Sequence, residues 1–257
     1  MKVADHPPPS TRTAFDDTLD FLARRVQTRD FSFLPGSDLS GCLLLQRPDA
    51  LADWQAFAAS WDGMPLDTYM ADGGRYRRRR YAVLSAAADS DTLKREPHQP
   101  HYQALEYNRL NGGIARHFEP VAPRILAGRT MSAVLGFGLG IFRRLFPRGH
   151  AHVEVHQFRI EANAEHAGRP TPEGAHRDGT DFVLVMMVRR VNIASGTTEI
   201  FDLNQNRLDS FTLTDPLDAA LVNDRRVMHG VTPIEPIDPA LPAYRDVLVA
   251  TYRNQPE

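Results

Sequence analysis

From residue 151 to the C-terminus the chain reads as a series of short strand-like runs, and no other feature limits its possible folds as much. "HVEVHQFRIEA" comes first, and "DFVLVMMVRRVNIA", "TTEIFDL", "LDSFTLT", "RRVMHGV" and "DVLVATYR" follow it. The runs are rich in β-branched or aromatic residues, and turn chemistry separates them, as at Ser195-Gly196, Asn204-Gln205-Asn206 and Asp215-Pro216. Six such runs in about 100 residues predict a β-sandwich or jelly roll, because strands this short bury their apolar faces only when sheets pack together.

The first half follows a different period. Residues 13–29 place Phe15, Leu19, Leu22 and Val26 on one stripe of an amphipathic helix. Residues 49–61 predict a second short helix. Residues 101–117 and 121–145 read as mainly helical, interrupted by Gly112-Gly113 and Pro123. "GGRYRRRRYAVL" (73–84) opens on a turn and continues as a strand. Residues 1–12 read as a flexible lead. The change of pattern near residue 150 is expected to be a change of layer within one domain covering 13–257. The helical part would then pack against a jelly-roll core at about 151–253, giving a β-rich α+β chain.

Composition narrows the setting. With 257 residues, 42% hydrophobic and 24% charged, the chain is an ordinary globular one with material for a sizeable core. A formal charge of −2 gives no overall pull toward nucleic acid or an anionic membrane. Cys42 is the only cysteine, so there is no internal disulfide framework, which fits a reducing compartment. The opening MKVADHPPPSTRT lacks the apolar run of a signal peptide. The most apolar stretch, Thr130 to Phe142, is 13 residues long and holds three glycines, too short to span a bilayer. The expectation is a soluble, cytoplasmic protein; no oligomeric state is specified.

Chemistry enters at "PEGAHRDGTDF" (172–182), just before the apolar run 183–188. In extended chain, side chains at i and i+2 share a face, so His176 and Asp178 project together with Arg177 opposite. Later, "DRRVMHGVTPI" presents His229 on a separate strand. Alone, a His-x-Asp pair is as ordinary as a surface pair or a turn cap. Joined by a second histidine it becomes the facial triad of non-haem Fe(II) oxygenases, with three coordination positions left for a chelating co-substrate and dioxygen. A structural zinc site would want a fourth protein ligand, usually thiolate, and Cys42 is the only thiol.

Arg245 opens the last strand and shares its face with Val247, Val249 and Thr251. One cation in an apolar wall suits the distal carboxylate of a 2-oxo acid such as 2-oxoglutarate, which a guanidinium meets with two parallel hydrogen bonds. The alternative is a surface pair with Asp246 or Glu235.

These phrases resemble a known family, the 2-oxoglutarate/Fe(II) dioxygenases that include bacterial free L-amino-acid hydroxylases of the L-isoleucine 4-hydroxylase type and biofilm stress-and-motility homologues. The resemblance rests on "HQFRI" (156–160), "PTPEGAHRDGTDFV" (170–183), "RRVNI" (189–193), "RRVMHGVTPI" (225–234), "RDVLVATYR" (245–253) and "GGRYRRRRYAVL", covering roughly residues 70–253. It implies a double-stranded β-helix, the cupin-like jelly roll, with His176, Asp178 and His229 as iron ligands. It also implies Arg245 as the anchor of 2-oxoglutarate, with Thr251 beside it. The implied reaction consumes O2, releases succinate and CO2, and hydroxylates an unactivated C–H of a small molecule, a free L-amino acid first among candidates. Where the family has paired glycines after the "RxN" strand this chain has Ala194-Ser195-Gly196, which predicts an altered turn. The readings weighed against hydroxylation are a metal- and 2-oxoglutarate-binding sensor in a biofilm or stress response, and a dioxygenase of a protein side chain or nucleobase.

Other residues stay open at this level. His150, His152 and His156 share a strand face at a spacing that metals take, with a surface or interface position the preferred reading. On the other face, Gln157 and Arg159 match the family phrase and are candidate substrate-binding residues, with a structural salt bridge the alternative for Arg159. "RYRRRRY" (75–81) interleaves arginines with tyrosines, a pattern that can grip single-stranded nucleic acid. The reading preferred is an edge strand guarded by charge or a source of carboxylate clamps. Gln103 and Asn108 either face a pocket or cap a helix. Glu173 either supports the loop or a ligand, or faces water.

Overall fold

The computed structural model describes residues 13–146 and 149–255; the flexible lead expected at 1–12 lies outside them. The chain begins with α1 (Ala14–Arg29), β1 (Phe31–Leu34), α2 (Gly36–Gln46) and α3 (Trp54–Ala59). Then follow β2 (Arg77–Ala86), β3 (Lys94–Arg95), β4 (Glu119–Pro120), α4 (Pro123–Leu126) and α5 (Arg129–Leu145). The strand-rich half holds β5 (His150–Ala162), β6 (Phe182–Val191), β7 (Ile193–Ser195), β8 (Thr198–Asp202) and β9 (Arg207–Phe211). It closes with β10 (Ala219–Asn223), β11 (Val227–Val231), β12 (Ile234–Pro236) and β13 (Ala243–Gln255).

The strands form two facing layers. The larger sheet runs β1-β10-β6-β13-β5-β2-β3, with β4 also on β2. Opposite lie β11-β8-β9 and β12-β7. This is the jelly roll the resemblance implies. Along β13, Leu248, Ala250 and Tyr252 turn toward the helices, as do Val153 and Val155 of β5 and Leu184 and Met186 of β6, and all join one core with Leu22, Leu43, Phe137 and Phe142. The alternate residues point the other way, into the space between the sheets. Three small apolar clusters fill part of it, around Val183 and Ile200, around Ile160 and Ile234, and around Met187 and Val247. The rest is a polar cavity.

Helix α1 starts where expected. Thr13 accepts from Asp16 N–H at 3.1 Å, and the Asp16 side chain reciprocates, so two orphan amide donors of the first turn are satisfied. Its buried stripe is Leu19, Leu22, Ala23 and Val26. The helix expected over 49–61 contracts to α3.

Two readings are corrected. Residues 101–117 are not helical: the segment is a loop tied at its ends by the His101–Arg116 bridge, with Gly113 N–H donating to Gln103 O at 2.8 Å and Asn111 N–H to the Asn108 side chain at 2.7 Å. Side-chain and glycine turns took the hydrogen bonds a helix would have used. Strand β2 is not an edge, since β5 pairs along its whole length and β3 and β4 lie on its other side. Helix α2 and strands β1 and β10 went unread; β10 (AALVN) is buried on both faces and so shows no alternation. In the turn after Asn192, Ser195 and Gly196 both adopt left-handed backbone, φ 60° and 72°.

Candidate active site

The loop between β5 and β6 delivers His176 and Asp178 to the cavity. His176 pairs with His229 of β11 through two backbone hydrogen bonds of 3.0 and 2.9 Å, so the two imidazoles are fixed side by side. Residues 178–180 do not continue as a strand. Instead Asp224 collects the amides of Asp178, Gly179 and Thr180 at 2.9, 2.9 and 3.0 Å, and this turns the Asp178 carboxylate between the histidines. Its oxygens lie 3.5 Å from His176 Nε2 and 3.6 Å from His229 Nε2. One donor atom from each of the three residues falls within 4.8 Å of the others. His176 Nδ1 faces Gly174 O at 3.1 Å and Glu173 at 3.5 Å, which leaves Nε2 for the cavity.

The charges of this cluster call for a cation. Burial disfavours a charge on His176, but Asp178 and then Glu173 outweigh it and hold the ring up to about 9. Burial pushes His229 down to about 4, with Asp178 opposing. Asp178 is held below the usual carboxylate range: burial would raise it, and the hydrogen bond to His176 and the charge of His229 overcome that. A divalent cation would be shared by all three donors.

Arg245 lies in the same cavity and is 2% exposed, and among the described residues its Nε and Nη1 have no hydrogen-bond partner. Its surface pairing is not realised. Asp246 points to the opposite face and binds Arg159 and Arg189 at 2.7 and 2.9 Å, and Glu235 is exposed. Burial and then Arg190 lower the Arg245 guanidinium to about 10. Val247, Val249 and Thr251 line the wall beside it, as the alternation predicts. Gly196 passes close by: a Cβ there would sit 2.8 Å from Ile234 and 3.9 Å from Arg245 Nη1, so glycine is needed for space as well as for φ.

Gln157 and Arg159 are corrected as substrate-binding candidates. They occupy the face of β5 turned away from the cavity, where Gln157 donates to Ser60 at 2.7 Å and Arg159 pairs with Asp246 and Asp62. Strand alternation gives the cavity to Glu154, His156, Phe158 and Ile160 instead. His156 is therefore a buried cavity histidine, while His150 is exposed. Gln103 and Asn108 also line the cavity, as do Arg77 and Arg79. Arg78 and Arg80 pair with Glu161 and Glu119, so the arginine run is divided between ion pairs and the cavity and presents no continuous basic surface. Glu154, His101, Arg116 and Asp224 were missed. Glu154 had a signal, sharing the parity of His152 and His156. The other three reach the site through tertiary contacts that no local pattern announces.

Over residues 58–251 the sequence matches the family described as 2OG-Fe dioxygenase. The 3(1)-hydroxy-L-isoleucine 4-dioxygenase of Pantoea ananatis (strain AJ13355) is 22% identical over 241 residues, 91% of this chain and 96% of that protein. The L-isoleucine-4-hydroxylase of Bacillus thuringiensis is 24% identical over 194 residues, 73% of this chain and 80% of that protein. Among solved structures, a bsmA homolog from Methylobium petroleophilum PM1 superposes with a TM-score of 0.80 at 34% identity, covering 92% of this chain and 93% of that one. IDO from Bacillus thuringiensis shares the fold, with a TM-score of 0.77 at 16% identity over 93% and 100% of the two chains. Among the described residues, no helix is long and apolar enough to cross a membrane. The matched span contains His176, Asp178, His229 and Arg245, and on the extent of that match the chain belongs to the 2OG-Fe dioxygenase family, enzymes that use Fe(II) and 2-oxoglutarate.

Proposed function

We propose that this protein hydroxylates an unactivated C–H bond of a free L-amino acid, with Fe(II) held by His176 Nε2, Asp178 and His229 Nε2. The observation that carries the reading is one cavity holding both this donor set and an arginine with two unpartnered nitrogens. Two imidazoles and one carboxylate fit Fe(II) and leave positions open. The orphaned guanidinium of Arg245 fits the distal carboxylate of 2-oxoglutarate, with Thr251 beside it. Bound Fe(II) supplies the chemistry that couples oxidative decarboxylation of 2-oxoglutarate, to succinate and CO2, with oxygen insertion into the substrate.

The chain's own part is positioning. Gly174 O and Glu173 fix the His176 ring from its Nδ1 side. Asp224 clamps the amides beneath Asp178, so the carboxylate does not swing out. Val185, Val247 and Val249 exclude water from one wall of the cavity. The relatives named for L-isoleucine support a free amino acid as the substrate class.

The test is succinate release by aerobic protein with Fe(II), 2-oxoglutarate and each of the common free amino acids. One or more should stimulate release, and His176→Ala should lower the stimulated rate by more than the roughly 100-fold upper range for losing a group that merely supports a metal ligand. Unchanged turnover in His176→Ala would overturn the assignment.

A further inference from the structure

The cavity contains a second constellation of ligand-like side chains. His101, Glu154 and His156 bring one donor atom each within 4.8 Å of one another, a spacing that would suit another metal ion. The hydrogen bonds argue against one. Arg79 Nη2 lies 2.8 Å from His156 Nδ1. A guanidinium only donates, so Nδ1 accepts and the neutral ring carries its proton on Nε2. That nitrogen faces Glu154 at 3.7 Å and has no lone pair for a metal. Burial, followed by the Arg79 charge, holds His156 down to about 3, which keeps the ring neutral. What the cluster does is fix Arg79: Glu154 orients His156, and His156 holds the guanidinium between Phe118 and Phe158, at 4.0 and 4.7 Å from the ring centroids.

Arg79 and Arg116 are 4% and 1% exposed, and among the described residues the Nε of each has no hydrogen-bond partner. Among the described residues neither makes an ion pair, whereas Arg77 beside them is paired with Asp67 at 2.8 Å. Among the described residues, the Arg116 guanidinium has one hydrogen-bond contact, at 3.5 Å to Gln103, which in turn donates to the Asp178 backbone carbonyl at 3.2 Å. Two cations without a carboxylate partner are therefore buried next to the candidate iron face. They are not the Arg245 site. Phe158, the β5 partner of Arg79, pairs with Val247 of β13, so Arg79 and Arg245 stand two strands and two residues apart, roughly 12 Å between Cα atoms.

Burying unneutralised charge is costly unless a ligand completes it. The same cavity holds the complementary group. Of its carboxylates, Glu154 faces three histidines and Asp178 two. Glu173 has one oxygen near His176, and its other oxygen, Oε2, is buried with no hydrogen-bond partner among the described residues. Glu173 lies close enough to Arg116 for its charge to be felt there. Resting on the hydroxylase reading, we infer that this side of the cavity is a zwitterion site, with Arg79 and Arg116 receiving the carboxylate of a free α-amino acid and Glu173 its ammonium group. His156 and Glu154 are positioning residues for Arg79. The substrate must then be unblocked at both ends, which excludes a residue within a peptide.

The test is calorimetric binding to protein loaded with Fe(II) and 2-oxoglutarate under nitrogen. Each common free amino acid is titrated, then the N-acetyl and methyl-ester forms of the tightest binder. Each blocked form should bind about 100-fold more weakly or not at all, the scale for losing one partner of a buried charge pair. Arg79→Met should weaken the free amino acid by about 100-fold, with 2-oxoglutarate affinity shifting less than about twofold. Glu173→Gln should weaken the free amino acid more than its deaminated carboxylate analogue. Equal binding of free and blocked forms, or undiminished binding in Arg79→Met, overturns the zwitterion site and leaves the hydroxylase reading intact. Absence of binding by every free amino acid overturns both. If Arg79→Met fails to fold, the blocked ligands on the wild-type protein still decide.

Discussion

Asp224 shows how much of the site depends on a residue with no motif of its own. It accepts three consecutive amides from Asp178, Gly179 and Thr180, and its Oδ1 lies 4.0 Å from His229 Nδ1, an atom with no hydrogen-bond partner. An asparagine there would turn an NH2 group toward amide donors and lose part of that collection. Asp224→Asn is expected to weaken Fe(II) affinity by about 10- to 100-fold, the range for supporting groups behind metal ligands. Anaerobic Fe(II) titration checks this, and unchanged affinity would remove Asp224 from the account. The three candidate ligands read from the sequence come together in the structure; they could be read because His176 and Asp178 are two residues apart and His229 sits in its own strand run. Asp224 could not be read, because its carboxylate acts on backbone far from it in sequence.

At the scale of elements, the apolar stretch Thr130 to Phe142 gains its explanation. Its three glycines are the points where other elements touch α5: a Cβ at Gly136 would meet Gln46, one at Gly140 would meet Leu19, and one at Gly138 would overlap the Tyr252 hydroxyl. That hydroxyl donates to Leu135 O at 3.0 Å, and the ring packs on Phe142 and Phe182. Gly138→Ala is expected to cost about 2 kcal/mol of stability through overpacking, and Tyr252→Phe about 1 kcal/mol through the lost buried hydrogen bond. In the double variant Gly138→Ala should cost less, because the overlapped oxygen is gone, although the ring carbon beneath it remains 2.7 Å away. Denaturant unfolding of the four proteins measures the coupling, and simple additivity would contradict the contact. The strand-rich half was legible element by element where one face is buried. Strand β10 and loop 101–117 were not, one because both faces are covered and the other because Asn108, Gln103 and Gly113 close turns in a segment of helical composition.

At the scale of the whole molecule, the cavity's buried histidines tie folding to pH. Burial, and then Arg79, lower His101 to about 4 from an ordinary 6.5. The folded state thus resists a proton that the unfolded chain accepts. The stability associated with neutral His101 is fully present above pH 6.5 and is lost as pH falls toward about 4. One such group changes stability by at most about 1.4 kcal/mol per pH unit in that window. In metal-free protein, His101→Gln should flatten the acid slope by about one proton, read from denaturant unfolding between pH 7 and 4.5, and an unchanged slope would show that His101 is not buried in its neutral form. The sequence by itself determined the layered β architecture, the candidate iron ligands and Arg245, because strand alternation and short spacings are local properties carried by backbone geometry. Only the tertiary structure decided which face of each strand meets the cavity. It sent Gln157 and Arg159 to the helix side, and brought Arg79, Arg116 and Glu173 together beside the candidate ligands from three distant segments. Parity along a strand is set by the chain, but which side becomes the inside is set by what packs against it.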